Sequence, residues 1–216
     1  MTSARPLLRG YIHAGAAVVA AVGGTYLVVL SSGDRPRQLS MLVYGAGLTV
    51  LFAVSALYHL HTWTPDRRAI LRRIDHANIF VLIAATDTPL ALNLLSGWWR
   101  VGILGAVWGA ALVGVVAAAA GMQLRRWVRA GLYVGMGWIA LAALGQISAA
   151  LPWPAIGLLI TGGVLYSAGA LLYARRWPDP WPRVFGYHEV FHLLTIAAAV
   201  AFYVVVLLYV LPAPRP

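Results

Sequence analysis

Seven apolar runs, each close to the length of a bilayer crossing, are separated by short segments rich in Arg, Pro, Gly and Trp. This pattern constrains the chain more than any motif within it. A hydrocarbon core of about 30 Å takes about 20 apolar residues as a helix. Only helices or closed barrels satisfy their own backbone there. The runs predict spans over residues 9–30, 39–61, 74–95, 99–121, 128–150, 154–173 and 186–211. They consume most of the 216 residues, and no connection is long enough for a linker or a soluble domain. The expected fold is an all-α integral membrane protein, with residues 1–216 forming one seven-transmembrane helix bundle.

Composition agrees. Charged residues make up 10% of the chain and hydrophobic ones 61%, where soluble proteins carry about 25% charged residues. The net charge of +10 comes from 16 basic residues, all Arg. A basic balance raises nucleic acid as a partner, but these arginines lie between apolar runs and not along one polar face. They read as topology signals and contacts to membrane lipids, with no nucleic acid expected. The absence of Cys excludes disulfides and thiolate metal sites, which leaves His and carboxylate for any metal chemistry.

Arg5 and Arg9 before an alanine-rich run look like a signal peptide. The run exceeds a usual signal core and six more follow, so a retained first helix is expected. The N-terminal segment and the second, fourth and sixth connections carry twelve arginines, the alternate set four. The positive-inside rule then places the N-terminus in the cytoplasm and the C-terminus outside. Trp98, Trp99, Trp127, Trp153, Trp177 and Trp181 fall at run ends, as an interfacial belt requires.

With that orientation, Ser55, His59, Asp75, His188 and His192 share one depth near the cytoplasmic interface, although they come from three runs. His188 and His192 are i, i+4, which sets both rings on one helix face. Ser55 and His59 repeat that spacing. Three imidazoles with a fourth position open match a catalytic zinc site. Asp75 is suited to orient water, accept its proton or hold a ligand ring. A carboxylate inside the membrane costs about 2.5–3.5 kcal/mol on insertion scales, so Asp75 should have a partner. His61 reads as a loop residue, and His13 and His76 read as structural. Asp87, in ATDTPL, reads as a cap on a proline-induced break beside Thr86 and Thr88.

His188-Glu189-Val190-Phe191-His192 also fits the H-E-x-x-H pattern of metalloproteases, where the Glu is a general base. The late L-D-G or N-P-D-G context of intramembrane zinc proteases is missing. Glu189 projects about 100° from the His face, near the helix start. There it meets water or complements the helix dipole.

The segments SALYHLHTWTPDRRAILRRIDHANIFVLIAATDTPLAL and FGYHEVFHLLTIAAAVAFY resemble the hemolysin III proteins of bacteria. That family groups with progestin and adipoQ receptors, including adiponectin receptors, and is similar to alkaline ceramidases. The resemblance spans essentially the whole chain. It implies a multi-pass protein of the bacterial inner or plasma membrane with a cytoplasmic N-terminus. It also implies zinc held by His59, His188 and His192, with Ser55 and Asp75 lining the site, and Glu189 not among the ligands. Two positions depart from the family: Asp87 stands where Tyr is frequent and Phe202 where a His often follows.

Three functions follow as expectations. The first is a zinc-dependent hydrolase of lipid amides or esters that releases free fatty acid. In it Asp75 takes a proton, Ser55 steadies Asp75 or the developing oxyanion, and the lipid tail lies where Gly135, Gly137, Gly162 and Gly163 allow open packing. The second is a non-enzymatic receptor or stress-response protein with structural zinc. The third is a pore-forming cytolysin, which the uniformly apolar spans favour least.

Overall fold

The computed structural model describes residue 8, residues 10–181 and residues 184–216. Arg5, Arg9 and Arg183, three of the twelve arginines counted for orientation, and the expected start of the first span at residue 9 lie outside the described residues. Among the described residues seven helices are long and apolar enough to cross a membrane. They are α1 (Tyr11–Leu30), α2 (Arg35–Leu60), α3 (Pro65–Leu94), α4 (Gly97–Ala119), α5 (Arg126–Ala150), α6 (Trp153–Arg175) and α7 (Tyr187–Val210). No strand occurs among the described residues.

Two helices start four or more residues before the apolar runs. α2 begins at Arg35, where the Asp34 side chain accepts the Arg37 N–H at 3.3 Å and Pro36 occupies the first turn. α3 begins at Pro65, not near residue 74. Proline is pre-set for the first helical turn, where its missing N–H costs nothing. The helix therefore runs on through Arg67, Arg68, Arg72 and Arg73, so the polar stretch read as a connection is helical. At the other end of α2 the helix stops at Leu60, and exposed His61 takes extended backbone.

α3 is the central element, with 67% of its most apolar stretch buried against 17% for α1 and α4. Consecutive helices pack side by side from α1 to α4, α6 packs on α7, and α7 returns to α1 to close the ring. The α1–α2 crossing brings backbones together at Gly24 and Gly45, where a Cβ added to Gly45 would sit 2.6 Å from the Gly24 Cα. Small residues permit such approach where lipid supplies no hydrophobic drive. Pro89 does not break α3. Thr86 and Thr88 donate their hydroxyls to Leu82 O and Ala84 O, and the Asn93 amide donates to Pro89 O at 2.8 Å. The expected break, with Asp87 as its cap, is absent.

α5 is composite. An α-helical stretch, Arg126–Gly137, leads into a 3-10 stretch, Ile139–Ala143, and then the α-helical Leu144–Ala150. At the end of the bundle away from the histidines, Arg37 ties three elements together. It donates to the Asn93 side chain at 3.3 Å, to Leu211 O and to Ala213 O at 2.6 Å. Arg215 pairs with Asp34 at 2.9 Å beside it.

Candidate metal centre

The C-terminal turn of α2 delivers His59, and the first two turns of α7 deliver His188 and His192. The last pair shares a face because it is spaced i, i+4. Each of the three offers a ring nitrogen, and these atoms all lie within 4.8 Å of one another. The Nε2 atoms of His59 and His188 are 3.1 Å apart. Tetrahedral zinc with bonds of about 2.0–2.1 Å sets its nitrogen ligands about 3.3 Å apart. The His59–His188 pair is close to that separation, and all three ligand atoms lie within 4.8 Å of one another. The donor set fits zinc. His192 is buried and the other two are half-buried, so the cluster lies just inside the bundle.

The start of α7 is fixed by backbone capping. The Gly186 N–H donates to Glu189 Oε2 at 2.8 Å and the Tyr187 N–H donates to Asp179 Oδ1 at 3.0 Å. A Cβ at position 186 would collide with that Asp179 carboxylate, which requires glycine there. Glu189 is fully buried, not facing water. Its carboxylate satisfies an orphan N–H of the helix carrying two of the histidines.

A cavity of about 130 Å³ runs inward from the cluster. Ser55, Asp75, His188 and His192 line its upper part, and Asp87 and Phe202 its deep end. Ser55 is placed to donate to the Asp75 carboxyl, and the positive charge of Arg129, on α5, acts on the same carboxyl. His76 also lines this cavity, and the Tyr133 hydroxyl donates to its carbonyl at 3.0 Å, joining α5 to α3. His61 sits apart, its ring 5.5 Å from Trp63.

The glycines divide. Gly135 and Gly137 face open space, but Gly162 and Gly163 do not provide the open packing expected of them. A Cβ at Gly162 would lie 2.6 Å from the Phe202 ring, and one at Gly163 2.9 Å from Trp138. Aromatic side chains fill those places. Phe202 thus closes the deep wall, stacking on Tyr166 with ring centroids 5.9 Å apart.

Two residues near the site were given no part in it from sequence. Arg129 reads as one of several interfacial arginines until α5 is packed on α3. His13 reads as structural, and α1 stacks it on His192 (ring centroids 3.6 Å apart). No local signal announces either pairing.

The haemolysin-III related family matches residues 1–203 of the chain. The Hemolysin-3 homolog of Bacillus subtilis (strain 168) is 32% identical over 193 residues, covering 88% of this chain and 86% of that protein. Hemolysin-3 of Bacillus cereus is 30% identical over 183 residues, 83% of this chain and 79% of its own. The heptahelical transmembrane protein ADIPOR2 of Oryza sativa subsp. japonica is 32% identical over 182 residues, 76% of this chain and 79% of its own.

Proposed function

The chain belongs to the haemolysin-III related family and is a multi-pass membrane protein, and on that footing we propose a zinc-dependent hydrolase of lipid amides or esters. One observation carries the reading: two of the three convergent imidazoles, His188 and His192, line a cavity that Asp75 and Ser55, from two further helix positions, also line. A structural zinc site closes with four protein ligands, whereas a catalytic one uses three and keeps a position open. Among the described residues the cluster contains three.

His59, His188 and His192 would hold the metal. When bound, zinc polarises a carbonyl and makes water a nucleophile near neutral pH. Asp75 accepts a proton within the cavity and returns it to the departing group. Ser55 donates to Asp75 and fixes which carboxyl oxygen faces the substrate. Arg129 balances the Asp75 charge in a low-dielectric setting, where an isolated carboxylate is costly. Apolar residues below, among them Ile79, Leu82 and Val134, line the path of an acyl tail and exclude water from it. Free fatty acid is the expected product.

Zinc-loaded protein presented with ceramides and related N-acyl lipids should release fatty acid. Asp75→Asn should lower that release by about 10²–10⁴-fold, the usual range for a general base, while metal content stays near one per chain. Equal release by wild type, Asp75→Asn and metal-stripped protein would mean contamination and defeat the hydrolase reading. A receptor or stress-response protein with structural zinc is the second reading. It is favoured by the cluster's position, because the three rings tie the end of α2 to the start of α7. A pore-forming role has the least support, since Tyr44, Leu48, Leu51, Leu90 and Val205 fill the centre of the bundle.

A further inference from the structure

A second cavity, of about 710 Å³, opens among α3, α4 and the first stretch of α5. Its origin is the composite α5. α4 meets that span mainly at the 3-10 stretch Ile139–Ala143, so the preceding stretch stands off and leaves a gap. Four arginines rim the gap: Arg72 and Arg73 from α3, Arg126 and Arg129 from α5. The Arg73 guanidinium lies over Gly121, where a Cβ would come within 2.8 Å of it. Among the described residues no carboxylate forms an ion pair with Arg72, Arg73 or Arg126. Among the described residues the arginine–carboxylate ion pairs involve Asp34, at the opposite end of the bundle. Arg129 also lines the histidine cavity, where its charge acts on Asp75.

Four guanidinium groups around one gap repel each other, and Arg126 and Arg129 are half-buried as well. An anion that accepts paired N–H donors relieves both costs, and phosphate matches the guanidinium fork. Away from the arginines the lining turns apolar, through Phe80, Val113, Leu132 and Met136. A charged mouth at the helix ends and an apolar wall running toward mid-membrane together match an amphiphile, not a soluble anion.

We propose that this cleft binds one anionic phospholipid from the adjoining leaflet. Its phosphate sits among Arg72, Arg73, Arg126 and Arg129, and one acyl chain lies along the α4–α5 wall. The proposal rests on membrane residence and not on the zinc hydrolase reading. It touches that reading at one point: His76, Arg126, Arg129, Tyr133 and Tyr173 line both cavities, so a bound lipid adjoins the histidine cavity.

Protein in neutral detergent would be titrated with phosphatidylglycerol or phosphatidylcholine, and bound lipid counted by native mass spectrometry. One phosphatidylglycerol should remain per chain where phosphatidylcholine does not. Arg73→Gln/Arg126→Gln should weaken that binding tenfold or more. Arg175→Gln/Arg176→Gln removes the same charge from another connection and should change it less than threefold. Gly109→Phe grows into open space in the cleft and should weaken binding tenfold with every arginine intact. If the first pair does not fold, Arg126→Lys, which keeps charge but loses the fork, should still lose several-fold. Equal losses in the two arginine pairs, full binding by Gly109→Phe, or no preference for phosphatidylglycerol would each overturn the proposal. Stabilisation by inorganic phosphate equal to that by phosphatidylglycerol would overturn it in favour of a soluble anion.

Discussion

The imidazole of His13 lies nearly flat on that of His192, with ring centroids 3.6 Å apart and planes 12° from parallel. Phe52 meets the His13 ring edge-on at 5.0 Å. The stack joins α1 to α7 and fixes the orientation of a proposed ligand. Groups that orient a metal-binding His typically alter affinity by about 10–100-fold when lost. His13→Ala should therefore weaken zinc binding by about tenfold, and His13→Phe, which keeps a flat ring, should weaken it less. Competition against a chromophoric chelator measures both, and wild-type affinity in His13→Ala would remove this role.

Zinc stoichiometry separates the ligand set from its support. Single His59→Ala, His188→Ala and His192→Ala variants should each lose most of one zinc per chain and melt at lower temperature in detergent. Glu189→Gln keeps an oxygen that accepts the Gly186 N–H, so metal should stay. Glu189→Ala loses that cap, at about 1 kcal/mol for a typical helix, and should loosen the start of α7. Loss of zinc in Glu189→Gln would instead restore the protease-like reading of His188-Glu189-Val190-Phe191-His192.

The Gly24–Gly45 crossing gives a stability test remote from the site. Gly45→Ala forces α1 from α2 and should cost about 1–3 kcal/mol, the usual penalty for overpacking. Gly15→Ala on α1 meets nothing within 4 Å and should be neutral or slightly stabilising. Detergent melts of the two variants that coincide would argue against close backbone contact there.

Orientation is testable by reporter fusions at the N-terminus and after Pro212. The arginine asymmetry predicts the first inside and the second outside; the reverse would refute that orientation, and fusions reporting the same side would refute seven crossings. An odd number of crossings demands opposite sides whatever the charges do.

The seven spans were legible because lipid imposes one rule on every residue of a crossing, and apolar length records it. Helix starts were less legible, since polarity marks where the hydrocarbon ends and not where the helix does. Thr64-Pro65 carried the better signal for α3, and the arginines that follow masked it. His59, His188 and His192 could be grouped through i, i+4 spacing and shared depth, both properties of single helices. The stacking of His13 and the approach of Arg129 to Asp75 depend on which helices become neighbours, and spacing along the chain does not encode that. Glu189 lies between these cases. Its position three residues after Gly186 is the spacing of a helix-start box, although the histidines on either side drew attention to metal chemistry.

The 3-10 stretch in α5 also changes how that span presents its faces. Each residue wound at three per turn advances about 120° instead of 100°. Over the five residues Ile139–Ala143 the two flanking stretches are therefore rotated out of phase by about 100°. A helical wheel drawn straight through 126–150 misassigns everything beyond Ala143 by more than a quarter turn. Tyr133 and Met136 on one side and Ile147 on the other belong to two wheels, not one. A substitution scan along α5 should show two separate periodic patterns of sensitivity, with the change of phase falling between Trp138 and Leu144.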